Sequence, residues 1–412
     1  MNAEILAVGT EILLGDILNT NAQYLSKELA QLGIGVYYQT VVGDNPERLE
    51  NAIFDAFSRA DLVITTGGLG PTADDLTKET GAKYFGKELV LDEKAFNEIK
   101  EYFKKTNRTM TENNVKQAYV PEGAKVLYNK NGTAPGIIVE ENGKILVMLP
   151  GPPKETVPMF EEYVKPFLSS KQDYTLVSRV LRVASIGESK METLVKDLIE
   201  NGENPTVAPY AKDNEAILRI TAKGKTEEDA IKLIEPVANE IYSRLGNAIY
   251  GEGDEELHFV VAKMLIERNL TIATSESCTG GLLAGTLIDY PGISKVFMDG
   301  VVSYSNEAKM KRLGVSEESL KKYGAVSYQV AEEMAMGIAK TSGTNVGIST
   351  TGIAGPDGGT EEKPVGLVYV GLCINGKVKS KELRLVGNRE RIRRKAVYSA
   401  LNWLRKELLE ID

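Results

Sequence analysis

Short runs of consecutive apolar residues alternate, through the first and last parts of the chain, with stretches whose apolar positions recur every three or four residues. Ile5-Leu6-Ala7-Val8 reads as a buried strand. Ala22, Leu25, Leu29 and Leu32 then share one face of a helix, capped by Thr20 or Asn21 and ended by Gly33. The order repeats. Residues 36–42 form a second strand, Leu49, Ile53, Phe54 and Phe57 mark a second helix, and Leu62-Val63-Ile64 is a third strand. Strands alternating with helices predict a parallel sheet with helices on its faces. Further on, Gly136-Ile137-Ile138-Val139 and Ile145-Leu146-Val147-Met148 flank Asn142-Gly143, a two-residue hairpin signal. Pro150, Pro152 and Pro153 then end the sheet.

The middle of the chain has a different texture. Residues 176–183 alternate apolar and polar, as a half-exposed strand does. A helix through Met191, Leu194, Val195 and Leu198 follows, then a strand over 216–222 and a helix over 226–245. This predicts a small α+β unit, read as a connecting or dimerising domain. From about 253 the pattern is α/β again: a helix over 255–268, a strand over 270–274, and a helix through Leu282, Leu283 and Leu287. The expected organisation is therefore two α/β domains, 1–168 and 253–412, joined by a small α+β domain over 169–252.

Length supports this division, since 412 residues exceed what one core usually holds. With 42% hydrophobic and 26% charged residues the balance is that of an ordinary globular protein. The formal net charge is −9 and no long basic stripe runs through the chain, so nucleic acid is not an expected partner. No apolar run approaches membrane-spanning length and the chain opens on a strand pattern, so no membrane and a cytoplasmic location are expected. Two cysteines, Cys278 and Cys373, cannot build a disulfide framework. The single histidine, His258, opens a helix and reads as a packed or surface residue. Acid–base chemistry must then run on carboxylates, lysine or tyrosine.

Two runs stand out against that background. Thr65-Thr66-Gly67-Gly68-Leu69-Gly70-Pro71 and Thr350-Thr351-Gly352-Ile353-Ala354-Gly355-Pro356 each follow a short β-branched strand and precede aspartate. A strand breaking into a glycine turn can aim successive N–H groups at one anion. Two such runs suggest two anion sites in two domains. The plainer alternative is a pair of ordinary glycine turns.

Four C-terminal fragments concentrate reactive groups: 275–281, 304–309, 350–359 and 389–394. Without a useful histidine, a serine nucleophile needs another base, and a buried lysine can serve. Ser277 lies at a strand-to-helix turn and Lys309 at the end of an apolar stretch. Cys278 is the rival nucleophile, and Ser277 or Thr279 could instead merely cap the next helix. Arg389, Arg391, Arg393 and Arg394 crowd a helix start, where positive charge opposes the dipole unless a phosphate arrives. In the first domain the glycine turn leads through Thr72 to Asp74 and Asp75. Acids beside a bound phosphate imply an intervening cation, to which Glu11, Asp16 and Glu155 could add oxygen ligands. Asp75 could alternatively cap a helix beginning at Leu76.

In this order, the motifs resemble the CinA family. Gly9-Thr10-Glu11, the 65–75 loop, Asn131 to Gly136 and Leu149 to Glu155 resemble a MoaB/MogA-like molybdopterin-binding domain. The middle segment is similar to the family's KH-like domain, though Ala222-Lys223-Gly224-Lys225 is not a Gly-x-x-Gly loop. Glu276 to Gly281, Tyr304 to Lys309 and Thr351 to Gly359 resemble the PncC-type nicotinamide mononucleotide deamidase domain. The resemblance implies a bifunctional pyridine-nucleotide salvage hydrolase. Its C-terminal domain would release ammonia from nicotinamide mononucleotide with Ser277 as nucleophile, Lys309 as base, and Tyr304 and Thr351 in support. Thr279, Gly280, Gly281, Gly352 and Gly355 would line the substrate, and Arg389 or Arg393 would take its 5′-phosphate. The first domain would cleave ADP-ribose to AMP and ribose 5-phosphate. Gly67, Gly68, Gly70 and Thr72 would hold its phosphates, and Asp74, Asp75, Asp16 and Glu155 a divalent ion (Mg2+, Mn2+ or Co2+), with K+ a further candidate; the deamidase would need no cofactor. The implied partners are these small nucleotides and a second copy of the chain, as a homodimer. A rival reading from another class is a non-catalytic pterin- or nucleotide-binding protein acting in competence or the response to DNA damage.

Overall fold

The computed structural model describes residues 1–212 and 214–411, in two compact units: 1–177 with 222–232, and 178–221 with 233–412. The first unit is built on a six-stranded sheet. Its strands run in the order Gly35–Val42, Asn2–Val8, Leu62–Thr66, Lys144–Leu149, Gly136–Glu141, Lys125–Leu127. The first four are parallel and the last two antiparallel. Both faces are covered, which explains why its central strands are continuous apolar runs. Successive residues go to opposite sides. Ile5, Leu62 and Ile64 pack with Leu25, Leu29 and Phe160, whereas Leu6 and Val63 pack with Ile53 and Phe57. Asn142 (φ 52°) and Gly143 (φ 74°) make the expected hairpin turn. The cap of helix Thr20–Gln31 falls one residue before the expected pair: Asn19 accepts from Ala22 N at 3.0 Å. Asn21 is instead turned inward, donating to Gly151 O at 2.6 Å.

In the second unit a five-stranded sheet has the order Phe297–Val302, Ile272–Glu276, Val346–Gly352, Leu367–Ile374, Lys377–Arg384. Its first three strands are parallel and its last two antiparallel. Helices Leu257–Glu267 and Arg389–Leu409 cover one face through Val261, Leu265, Leu401, Leu404 and Leu408. Helix Tyr328–Ser342 packs Met334 and Ile338 on the other. The middle segment forms an antiparallel sheet in the order Thr206–Ala211, Ala216–Gly224, Thr175–Val183, Ile249–Glu252. The two outer strands of that sheet were not predicted. They are short edges, and one carries Pro209, so neither shows the long alternation of a two-neighbour strand. The architecture is thus α/β, with a mixed sheet in each unit and a small antiparallel sheet in the middle segment. Among the described residues no helix is long and apolar enough to cross a membrane.

Candidate active site

Strand Ile272–Glu276 ends by passing Ser277 N to Thr350 O at 2.9 Å. The chain then turns through Gly280 (φ 61°) and Gly281 (φ 90°) into helix Leu282–Ile288. Glu276 shapes that turn. It is 1% exposed, and its carboxylate accepts from Gly281 N, Leu283 N and Ala284 N at 3.0, 3.0 and 2.8 Å. The Thr279 hydroxyl donates to it at 2.6 Å and lies 2.6 Å from the Thr350 hydroxyl. The carboxylate thereby satisfies orphan helix donors and sets negative charge against the positive helix end. Neither Ser277 nor Thr279 caps the helix, contrary to the alternative raised from sequence. The role of Glu276 was missed, although an acid closing a strand before a glycine turn is a visible signal.

With the cap supplied elsewhere, the Ser277 hydroxyl meets Lys309. Helix Asn306–Leu313, capped by Ser305, carries Lys309 inward. Its Nζ lies 3.2 Å from Ser277 Oγ, 2.9 Å from Ser303 O and 3.1 Å from Tyr304 O. Ser277 is 8% exposed and Lys309 1%. Burial pushes the Lys309 ammonium below the usual lysine range. In its neutral form the amine can donate to the two carbonyls while its lone pair accepts the serine O–H. Burial acts oppositely on the rival: the Cys278 thiol is pushed up to about 12, so it is not a thiolate.

The arginines divide by function. Arg393 donates to Cys278 O at 3.2 Å and Thr279 O at 2.6 Å, tying down the turn. Arg389 is exposed; it donates to Gly355 O at 2.7 Å and lies 3.4 Å from the phenol of the exposed Tyr304. Arg394 pairs with Glu390 at 3.0 Å, and Arg391 is exposed. Thr351 is buried with its hydroxyl donated to Ala325 O at 2.7 Å, which holds the strand in place. The 350–356 run departs from its look-alike. Gly352 belongs to an antiparallel ladder, where a Cβ would stand 2.7 Å from Leu367 O, and Ile353 N is spent on Leu367 O at 2.9 Å. Gly352 thus serves strand packing, and the turn opens only beyond it, at Gly355 (φ 76°), where the N–H groups of Ala354 and Gly355 have no acceptor among the described residues.

The first run, 65–71, forms an open turn. Gly67 takes φ 99°, and any Cβ there would strike Val8 O. Among the described residues the N–H groups of Gly68, Leu69 and Gly70 have no acceptor. They line a cavity of about 570 Å³ together with Pro150 to Pro153 and Asn21. The buried Asn21 Oδ1 has no partner among the described residues. Carboxylates of Glu11, Asp44, Asp74, Asp75 and Glu155 also line the cavity; exposed Asp16 is not among its lining residues. Asp75 folds back to accept from the Thr72 N–H (3.0 Å) and hydroxyl, while helix Thr77–Tyr84 has no side-chain cap, so the alternative of an Asp75 cap is not realised. Asp44, overlooked in the sequence, accepts from Thr10 N and Oγ1 at 3.0 and 2.8 Å. Glu155 accepts from Asn129 at 2.8 Å, and burial raises its pKa. Hydrogen bonding to Thr72 holds the Asp74 carboxyl low. Beneath the loop, the buried Lys78 donates to Lys116 O and Tyr119 O at 2.7 and 3.0 Å, and burial lowers its pKa to about 8. Among the described residues no three Asp, Glu, His or Cys form a ready metal cage. Such donors fit a hard cation that takes one or two carboxylates and completes its shell with water and substrate phosphate.

Residues 254–408 match the family described as CinA C-terminal domain, 4–170 that described as probable molybdopterin binding domain, and 178–251 that described as damage-inducible protein CinA KH domain. The chain is 63% identical over 409 residues to a competence-damage inducible protein of Clostridium novyi, with 99% of each chain covered. It is 59% identical over 411 residues to a CinA-like protein of Dictyoglomus turgidum, covering 100% of both. A solved competence/damage inducible protein from Agrobacterium tumefaciens is 43% identical with a TM-score of 0.36, covering 36% of this chain and 92% of its own.

Proposed function

Since the chain belongs to the CinA family, we propose that its C-terminal domain hydrolyses the carboxamide of nicotinamide mononucleotide. The observation that carries this reading is the buried contact of Lys309 Nζ with Ser277 Oγ at 3.2 Å. Neutral Lys309 takes the serine proton as Oγ attacks the carboxamide carbon. The N–H groups of Cys278 and Thr279, which have no acceptor among the described residues, would supply donors for the developing oxyanion. The lysine ammonium then protonates the leaving nitrogen, the C–N bond breaks, and ammonia departs from a serine ester. Water, deprotonated by Lys309, cleaves the ester to nicotinate mononucleotide. Arg389, exposed beside Tyr304, receives the 5′-phosphate, while Arg393 keeps the turn in shape.

In the first domain, the unpaired N–H groups of Gly68 to Gly70 support binding of a pyrophosphate, and ADP-ribose is the proposed substrate. Asp74 and Glu155 would hold a divalent ion there, whose charge would neutralise the pyrophosphate and favour attack by water. AMP and ribose 5-phosphate are the expected products.

The deciding experiment follows ammonia release from nicotinamide mononucleotide. We expect turnover by the parent chain and none by Ser277→Ala, with ADP-ribose cleavage kept in both. Equal ammonia release by the two would remove Ser277 from the mechanism.

A further inference from the structure

The C-terminal helix Arg389–Leu409 borders a second groove along its later turns. This cavity of about 350 Å³ is walled by that helix, strand Lys377–Arg384, residues 185–188, and Ala211, Lys212, Asn214, Glu215 and Ala216. Lys212, Lys381, Lys395 and Lys406 line it. Among the described residues Lys381, Lys395 and Lys406 have no ion-pair partner, and Lys212 lies 3.6 Å from Glu215, whose carboxylate already binds Arg182 at 2.5 Å. Glu188 and Glu215 also line the groove, Glu215 committed to Arg182, so the four lysines outnumber the two carboxylates and leave a net positive charge that an anion would offset. Lys406 registers this: burial, and next the charges of Arg405 and Lys381, push its ammonium below the usual range.

Aromatic surface stands beside the lysines. Trp403 and Tyr398 line the same groove, and the buried Tyr398 hydroxyl has no hydrogen-bond partner among the described residues. Ser185, at the rim, holds a left-handed φ of 69° with its Oγ 2.5 Å from Asn402 Nδ2. A non-glycine residue kept there is strained, and such strain gathers at ligand sites. The groove is separate from the serine–lysine pair. Trp403 lies nearly three turns beyond Arg393, about 15 Å along the helix.

We propose that this groove binds a phosphorylated nucleotide as a second ligand, its phosphates on Lys381, Lys395 and Lys406 and its base against Trp403 and Tyr398. Lysine supplies compact point charges for phosphate, and aromatic faces accept any base. The cavity volume matches one nucleotide.

Trp403 is the chain's single tryptophan, so its fluorescence reports on this groove directly. The full chain is titrated with ADP, and separately with adenosine and with pyrophosphate. We expect a saturable change with ADP that Arg389→Ala leaves unaltered. In the double variant Lys381→Ala, Lys406→Ala, checked for an unchanged thermal melt, the affinity should fall by about tenfold or more. Adenosine and pyrophosphate should each bind more weakly than ADP. No saturable response at millimolar ADP, or equal affinity in the double variant, would overturn the site. Pyrophosphate binding as tightly as ADP would overturn the assignment to a nucleotide. Loss of the response in Arg389→Ala would assign it to the first nucleotide site instead.

Discussion

A lysine removed from water without a carboxylate partner must either stay charged at a cost or give up its proton. Lys309 is in that position, among two carbonyls and one hydroxyl. Burial depresses its pKa, so the neutral amine, the form that can take the Ser277 proton, gains ground as pH rises through the lowered value. Deamidation should therefore climb with pH and level off below the usual lysine range, which a kcat/KM profile would show. Lys309→Arg keeps a permanent positive charge and should lower kcat by about 10²–10⁴-fold without loss of fold. A rising limb that persists in that variant would assign the titration to another group. Ser277 and Lys309 stood out in the sequence as candidates, a serine in a small-residue turn after a strand and a lysine after an apolar run, but their roles as nucleophile and base came from the family resemblance. The division among the arginines was not legible there. Which guanidinium meets a backbone carbonyl and which meets solvent depends on Cys278, Thr279 and Gly355, residues far from the helix in sequence.

Elements explain why that pair is poised. Helix Leu282–Ile288 is short and has no cap from its own N-cap residue, Gly281. The strand before it supplies the missing acceptor through Glu276, so one carboxylate joins strand end, turn and helix start. Glu276→Gln keeps the shape but loses one acceptor oxygen and the charge. We expect it to cost about 1–3 kcal/mol of stability, read as a lower melting temperature, and to reduce deamidation by shifting the Ser277 turn. A variant that melts and turns over like the parent would deny the carboxylate this role. The same scale shows what periodicity can and cannot deliver. Strands with two neighbours and buried faces announce themselves, as 5–8 and 62–64 do. The likeness of 65–71 and 350–356 hides a difference in their first glycines, because a glycine in a ladder and a glycine in an open turn look alike in sequence. Only the partner strand Leu367–Ile374 reveals the difference at Gly352.

Two compact units with separate cores make the two proposed activities separable by experiment. The serine–lysine pair lies wholly in one unit, and the glycine loop with its carboxylates wholly in the other. Chelation should therefore discriminate between them. Deamidation has no carboxylate cluster at Ser277, and the proposed attack needs only Lys309 and backbone amides. The proposed ADP-ribose cleavage, by contrast, would place a pyrophosphate beside Asp74, Asp75 and Glu155, and like charges so close require a cation between them. EDTA should stop release of AMP from ADP-ribose, with Mg2+ restoring it, while ammonia release continues. Asp74→Asn should weaken only the first activity, by tenfold or more in about the range of one lost charge contact. If EDTA left both reactions intact, phosphate binding in the first unit would rest on the loop amides alone, and the acids around them would be structural.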